Sequence, residues 1–172
     1  DIVGGASPLS NGVRTSISPS DLASAGAEAL AESQSYPGKI CTVIAPGDHA
    51  WGENASVAAQ LKIETPPTLS NKEIQEAAEK LLAAEKPALF RGGRALRKQA
   101  LHHAGRISSL LNARIICETL PARIQRGEGS VPIERLPYFA ESAVEFLREL
   151  TQITFVGAPP PVAFFAYPDK PG

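Results

Sequence analysis

The chain has 172 residues, of which 43% are hydrophobic and 20% charged, and its net charge of −1 comes from basic and acidic residues mixed along its length. This composition is typical of one ordinary soluble α/β domain, or of a small domain with an appendage. It excludes an electrostatic footprint for nucleic acid or an anionic membrane surface, and no apolar run approaches the roughly 18 residues that span a bilayer.

The methionine and cysteine content of the chain indicates its context. It contains no methionine, which favours a segment of something longer, and its first residues show no signal peptide. Cys41 and Cys117 both lie in apolar runs, and two cysteines are too few for a disulfide framework or a clustered metal site. We therefore expect two buried thiols in a reducing, cytoplasmic compartment.

The first segment, residues 1–59, is predicted to contain a helix and a strand. Ser18-Pro19-Ser20-Asp21 is typical of a helix start with Ser18 as its cap, and the alanine-rich sequence continues the helix to about Ser33. Residues 39–46 are rich in β-branched side chains and predict a buried strand. The chain then becomes irregular, and residues 60–69 form a linker by composition.

The second segment, residues 70–172, alternates helices with strands. Its first helix starts at the capping box Ser70-Asn71-Lys72-Glu73 and turns Ile74, Leu81 and Leu82 inward. Further helices are predicted over 95–111 and 141–150, strands over 87–90, 113–117 and 152–156, and a long polar loop over 119–139. Strands that alternate with helices of this length predict βαβ units and a parallel, doubly wound sheet.

Ligands of doubly wound sheets bind beyond the carboxyl ends of the strands, which are here residues 91–94, 118–121 and 157–161. Gly92-Gly93 lies at such an end, but the residues after it do not complete the pattern G-x-G-x-x-G. Two interpretations stay open. The glycines make a tight turn, or they form a nucleotide site in which Arg91 or Arg94 contacts phosphate.

No group of side chains makes a convincing catalytic or metal site. Asp48 and His49 could serve acid–base chemistry, but no nucleophile pattern accompanies them. His102 and His103 are adjacent on a predicted helix and point about 100° apart, which favours surface positions over shared metal ligation. A cluster of arginines alternates with glutamates and predicts a salt-linked loop: Arg114, Arg123, Arg126 and Arg135.

Several runs together resemble the thiamine-diphosphate-dependent enzymes of the acetolactate synthase and benzoylformate decarboxylase type. Val43-Ile44-Ala45-Pro46-Gly47-Asp48-His49-Ala50-Trp51 is similar to the end of their pyrimidine-binding domain. "KPALFRGGRAL" and "NARIICETLPARIQRGEG" are similar to the first two strands of their central domain. "TFVGAPPPVAFFAYPDKPG" resembles the corresponding run of benzoylformate decarboxylases.

The resemblance implies a Rossmann-like central domain over residues 70–172, with strands missing beyond Gly172, preceded by the C-terminal part of a pyrimidine-binding domain over residues 1–59. The glutamate that activates the cofactor and the Gly-Asp-Gly…Asn run that holds magnesium and diphosphate belong to other parts of these enzymes. Thiamine diphosphate and Mg²⁺ are therefore expected in the parent enzyme and not in this piece.

In members that contain FAD, the central domain binds the flavin nucleotide at these strand ends. The matching positions, a vestigial nucleotide site on this interpretation, are Gly92, Gly93, Thr119, Leu120 and Gly157. Those members carry an arginine after the third strand, where this chain has Pro159-Pro160-Pro161. The difference removes a charged phosphate partner, favours the flavin-free branch, and predicts no FAD.

The resemblance implies a parent that cleaves or joins C–C bonds of a 2-oxo acid, with decarboxylase and carboligase both open. This piece is expected to be inactive and to brace the catalytic domains, with other domains or subunits of the parent as partners and a homo-oligomer as the assembly. The alternatives are a stand-alone nucleotide-binding module that uses the Gly92-Gly93 turn and, last, a small hydrolase that uses Asp48 and His49.

Overall fold

A computed structural model describes residues 1–53, 56–165 and 168–169 of the chain. The chain divides into two compact units, Asp1–Thr68 and Leu69–Gly172. Among the described residues, no helix combines the length and the apolar character that crossing a membrane requires.

The first unit holds a two-stranded parallel sheet. Its elements are α1 (Ile2–Ala6), β1 (Gly12–Thr15), α2 (Pro19–Gln34), β2 (Cys41–Ile44) and α3 (Gly47–Trp51). β1 pairs with β2 so that Gly12 lies opposite Cys41. Ser18 caps α2 as predicted, because its side chain accepts a hydrogen bond from the Asp21 N–H at 3.2 Å. α2 buries only the small side chains of Ala25 and Ala29.

Three features of the first unit differ from the prediction. The strand is shorter than residues 39–46, Ile40 is 65% exposed, and all four residues of β2 are half-buried rather than buried. α1, β1 and α3 were not predicted, because four or five residues are too few to show a clear periodicity. β1 covers one edge of β2, so that edge is paired.

The second unit holds a four-stranded parallel sheet. Its elements are α4 (Asn71–Leu82), β3 (Pro87–Arg91), α5 (Lys98–Leu111), β4 (Arg114–Cys117), β5 (Glu134–Arg135), α6 (Ala140–Leu147) and β6 (Gln152–Val156). The strand order is β5-β4-β3-β6. In the register, Phe90 lies opposite Ile116 on one side and Phe155 on the other. The predicted parallel α/β fold is confirmed, and β5 lies inside the predicted polar loop.

Helices cover both faces of this sheet, so it is doubly wound. On one face, Leu81 of α4 and Ala104 of α5 pack with Leu89 and Ile115. On the other face, Phe146 of α6 packs with a cluster that includes Phe90 and Ile116. All five residues of β3 are buried, and burial of its large apolar side chains, Leu89 and Phe90, stabilises the fold by about 1.5–3 kcal/mol each.

The helices differ from the prediction in where they begin or in which residues they bury. The Ser70–Glu73 capping box is confirmed, but Ile74 and Leu82 are 53% and 68% exposed and only Leu81 of α4 is buried. α5 starts at Lys98 rather than residue 95, because Gly93–Leu96 forms a 3-10 turn first. α5 buries Leu101 and Ala104, whereas Ile107 is 36% exposed.

Candidate functional site

The carboxyl ends of β3 and β6 meet through two glycines. The Gly92 N–H donates to the Val156 carbonyl oxygen at 3.1 Å. A Cβ built on Gly92 would lie 2.8 Å from the Gly157 oxygen, and one built on Gly157 would lie 2.9 Å from the Gly92 oxygen. Gly157 also has φ +69°, which disfavours other residues. The structure therefore brings Gly92 and Gly157 into backbone contact, and neither position tolerates a side chain.

The other three predicted site residues occupy different surroundings. Gly93 has φ +49°, is exposed, and opens the 3-10 turn. Thr119 is buried beyond β4 and lines a mostly apolar cavity of about 320 Å³ beside α6, together with Leu136 and Phe164. Leu120 is 69% exposed. The five predicted positions thus split into the Gly92–Gly157 contact, Gly93 in the exposed 3-10 turn, and Thr119 and Leu120 beyond β4.

Arg91, the last residue of β3, is buried at this same sheet edge. It is 5% exposed, and its Nε has no hydrogen-bond partner among the described residues. Burial lowers the pKa of its guanidinium. Arg94, three residues further on, is exposed. The sequence predicts either arginine as a phosphate contact. In the structure Arg91 is buried and Arg94 is exposed.

The loop beside β4 is held by an arginine that serves packing rather than ligand binding. Arg114 makes a two-point ion pair with Glu134, with nitrogen–oxygen distances of 2.8 and 2.7 Å. Its Nη1 also donates to the Phe146 carbonyl oxygen at 2.7 Å, and its Cζ lies 4.1 Å from the centroid of the Phe146 ring. The pair lowers the pKa of Glu134 and raises that of Arg114. The predicted salt link is confirmed for Arg114 and Glu134.

In the first unit, the carboxyl ends of β1 and β2 bring together a serine and a histidine that sequence reasoning did not connect. Ser16 Oγ lies 3.0 Å from His49 Nδ1, and Asp48 Oδ2 lies 3.7 Å from His49 Nε2. Ser16 follows the unpredicted strand β1, so the only available signal was that parallel strands end at one edge. Ser16 is 2% exposed and its hydroxyl is closed to substrate, which favours a structural hydrogen bond over a hydrolase.

The remaining candidates give no further chemistry. His102 and His103 are exposed on α5, with ring centroids 6.1 Å apart. Cys41 and Cys117 are free thiols; Cys117 is buried as expected, whereas Cys41 is half-buried. Burial raises the pKa of the Cys117 thiol. Among the residues that the structure describes, no three His, Cys, Asp or Glu side chains form a group that could hold a metal ion.

Solved structures share this fold. A protein from Mycobacterium smegmatis described as a thiamin diphosphate-dependent enzyme matches 86% of this chain with a TM-score of 0.67 and 20% identity. A thiamine diphosphate-dependent 4-hydroxybenzoylformate decarboxylase from Rhodococcus jostii matches 92% with a TM-score of 0.71 and 20% identity. In these comparisons, the match covers 29% and 31% of the solved chains. At this identity the likeness shows the fold alone.

The sequence is closer to a Mycobacterium tuberculosis protein that carries the name acetolactate synthase large subunit IlvX. The two are 34% identical over 171 residues. The chain is thus similar in sequence to a protein named as an acetolactate synthase subunit, and similar in fold to thiamine-diphosphate-dependent enzymes. The matched residues are 99% of this chain but 33% of that protein, so the chain spans about a third of its relative's length. No protein-family model matches it.

Proposed function

We propose that this chain is part of a thiamine-diphosphate-dependent enzyme that acts on a 2-oxo acid, and that it contributes a structural domain. The observation that carries the proposal is the match over 171 residues to one third of an acetolactate synthase large subunit by name. In this proposal, residues 1–59 are the C-terminal part of the pyrimidine-binding domain, residues 60–69 are a linker, and residues 70–172 are the central domain. The fully buried strand β3 of this central domain suits a bracing role.

The donor side chains support a role without cofactor chemistry in this part of the enzyme. Mg²⁺ needs several oxygen ligands in one place, and the described residues offer no such cluster of acidic side chains. The residues present therefore do not fit the magnesium and diphosphate of the cofactor. We propose that thiamine diphosphate and Mg²⁺ bind elsewhere in the parent. FAD is not expected, because Pro159 to Pro161 offer no guanidinium to its diphosphate.

A titration with thiamine diphosphate and Mg²⁺, followed by calorimetry and by decarboxylation and carboligation assays on several 2-oxo acids, tests the proposal. We expect no saturable binding and no turnover by this chain, and both from the full gene-encoded product. Submillimolar binding or turnover by the 172-residue chain, abolished by a substitution within it, would contradict the structural role. The comparison of decarboxylation with carboligation in the full product distinguishes the two reaction directions.

The proposed partners are other domains or subunits of the same enzyme, in a cytoplasmic homo-oligomer. Free Cys41 and Cys117 suit a reducing compartment. Large exposed apolar side chains occur in both units, including Ile40 at 65% and Leu82 at 68%, and such surfaces favour association. We expect light scattering to show concentration-dependent self-association of this chain. A monomer at all concentrations, with no binding of an apolar dye, would argue against it.

A second candidate function is nucleotide binding at the Gly92-Gly93 turn, with Thr119, Leu120 and Gly157 as a vestigial remainder of the site. The buried and unpartnered Nε of Arg91 at this sheet edge is the observation that favours it. Titration with adenine nucleotides distinguishes the candidates. Saturable micromolar binding by the chain favours the binding module, whereas its absence favours the structural domain.

A further inference from the structure

A cavity of about 320 Å³ lies between α6 and the chain that follows β6. α6 lines it with two alanines and two larger aliphatic side chains: Ala140, Ala143, Val144 and Leu147. Residues 136–138 and 161–164 supply further walls. Because alanine side chains are short, Ala140 and Ala143 leave space on this side of the helix. Protein interiors contain few voids larger than a water molecule, so a space of this size indicates a binding site.

Two aromatic rings form one wall of this cavity. Tyr138 and Phe164 both line it, and their rings stack with centroids 4.9 Å apart and planes 19° apart. Phe165 packs edge-on against Tyr138, with centroids 5.5 Å apart. These contacts hold the chain after β6 beside the cavity. Aromatic rings attract one another in stacked or edge-to-face arrangements, so this wall suits a further planar ring.

The polar groups around the cavity favour an uncharged molecule. Thr119 is the buried polar residue of the lining, and its hydroxyl can both donate and accept a hydrogen bond. Arg148 also lines the cavity, but its side chain is 66% exposed and pairs with Glu145. The described residues around the cavity therefore offer no unbalanced charge. A charged molecule would lose its hydration there without gaining a counter-ion.

The volume of the cavity sets the size of the molecule. An apolar protein cavity of about 150 Å³ binds one benzene ring. The cavity beside α6 has about twice that volume, which accommodates two fused rings. A buried water molecule needs two to four polar partners, and Thr119 is a single buried polar side chain in a mostly apolar lining. An aromatic molecule therefore suits this space better than water does.

We infer that the cavity beside α6 binds an uncharged aromatic molecule of two fused rings with one hydroxyl or N–H group. Its rings contact Tyr138 and Phe164, and its polar group hydrogen-bonds to Thr119. Neither Gly92 nor Gly157 lines this cavity, so the site is separate from the glycine contact between β3 and β6. The inference does not rest on the proposed structural role, because binding of such a molecule and thiamine diphosphate chemistry are measured separately.

Equilibrium dialysis of the 172-residue chain against 2-naphthol tests the site. We expect saturable binding of one molecule per chain. 2-Naphthoate has the same rings but carries a carboxylate, and it should bind about tenfold more weakly or worse because the cavity supplies no counter-ion. Adenosine should not displace 2-naphthol. Displacement by adenosine at similar affinity would overturn the inference, since it would assign the cavity to a nucleoside.

Substitutions on the two sides of the cavity locate the binding. Ala143→Leu fills the space beside α6 and should weaken 2-naphthol binding by about tenfold or more. The matched control is Ala78→Leu, the same change at an exposed position of α4, which should bind like the unaltered chain. Thr119→Val removes the hydroxyl but keeps the shape. It should weaken 2-naphthol binding by about threefold to tenfold and leave naphthalene binding unchanged.

Circular dichroism shows whether each variant folds, and Thr119→Val keeps the test decisive if Ala143→Leu does not. The full gene-encoded product should bind 2-naphthol as the 172-residue chain does, with the same loss in the variants. Equal binding by Ala143→Leu and Ala78→Leu would overturn the inference, as would no saturable binding by the chain. Binding by the chain but not by the full product would also overturn it, because another part of the parent would then fill the cavity.

Discussion

The two units contain the same kind of sheet at very different depths of burial. In the second unit, every residue of β3 is buried, and helices cover both faces of four parallel strands. In the first unit, β1 and β2 form two parallel strands in which no residue is fully buried. Parallel sheets are normally covered on both faces. The comparison shows that strand composition alone does not make a buried strand; neighbouring strands and helices on both faces do.

The buried side chains of the two units differ in size as well. α2 of the first unit buries Ala25 and Ala29, whereas the second unit buries Phe90, Leu96 and Ile116 with at most 1% exposure. Hydrophobic stabilisation scales with the apolar area removed from water. The second unit should therefore hold most of the folding free energy of the chain.

Replacing one isoleucine in each unit gives the largest expected difference. Ile116 on β4 is 0% exposed, and Ile44 on β2 is half-buried. Ile116→Ala should lower the free energy of unfolding by about 2–5 kcal/mol, because it leaves a cavity between α6 and the sheet. Ile44→Ala should lower it by about 1 kcal/mol, since less apolar area is lost. Urea unfolding followed by circular dichroism measures both, and equal losses would remove the distinction between the units.

The N-terminal caps of α2 and α4 provide a smaller test in which the removed group is the same. Ser70 accepts from the Glu73 N–H at 3.3 Å, and Glu73 accepts in return from the Ser70 N–H at 2.7 Å. Ser70→Ala should lower the stability of the second unit by about 1 kcal/mol. Ser18→Ala should affect only the unfolding of the first unit. Exposed Ser109 of α5 is the control, and its replacement by alanine should change neither transition.

The smallest expected effect is the pH dependence of the Arg114–Glu134 pair. Arg114 holds the pKa of Glu134 below its ordinary value of 4.5. The stabilisation that ionised Glu134 contributes is therefore present above its unfolded-state pKa, and it is lost as the pH falls through its folded-state pKa. Because both side chains are partly exposed, the contribution is about 0.2–1 kcal/mol. Glu134→Gln should reduce stability at neutral pH and flatten its fall in acid. An unchanged acid profile in urea unfolding would count against this pair.

Periodicity and capping signals predicted the second unit well because its elements are long enough to show them. Apolar runs predicted β3, β4 and β6, which the structure shows to be adjacent and parallel. Ser70 with Glu73 predicted the capping box of α4. Helix faces were predicted less well: Ile74 has the spacing of an inward residue, but α4 meets the sheet through Leu81. Which face packs depends on neighbours distant in sequence.

Site residues were predictable only where one local pattern defines them. Gly92 follows an apolar strand, so its place at a sheet edge could be expected, but its contact with Gly157 depends on β3 pairing with β6. The hydrogen bond between Ser16 and His49 joins residues 33 apart, through a strand too short to recognise. The burial of Arg91 was likewise invisible, because arginine in sequence normally indicates surface.

The central claim is that the second unit holds most of the folding free energy of the chain, because it buries the larger apolar side chains. Producing Asp1–Thr68 and Leu69–Gly172 separately and recording amide NMR spectra with urea unfolding tests it directly. The account predicts dispersed resonances and one cooperative transition for Leu69–Gly172, and a transition at a lower urea concentration for Asp1–Thr68. A cooperatively folded Asp1–Thr68, as stable as its counterpart, would contradict the account.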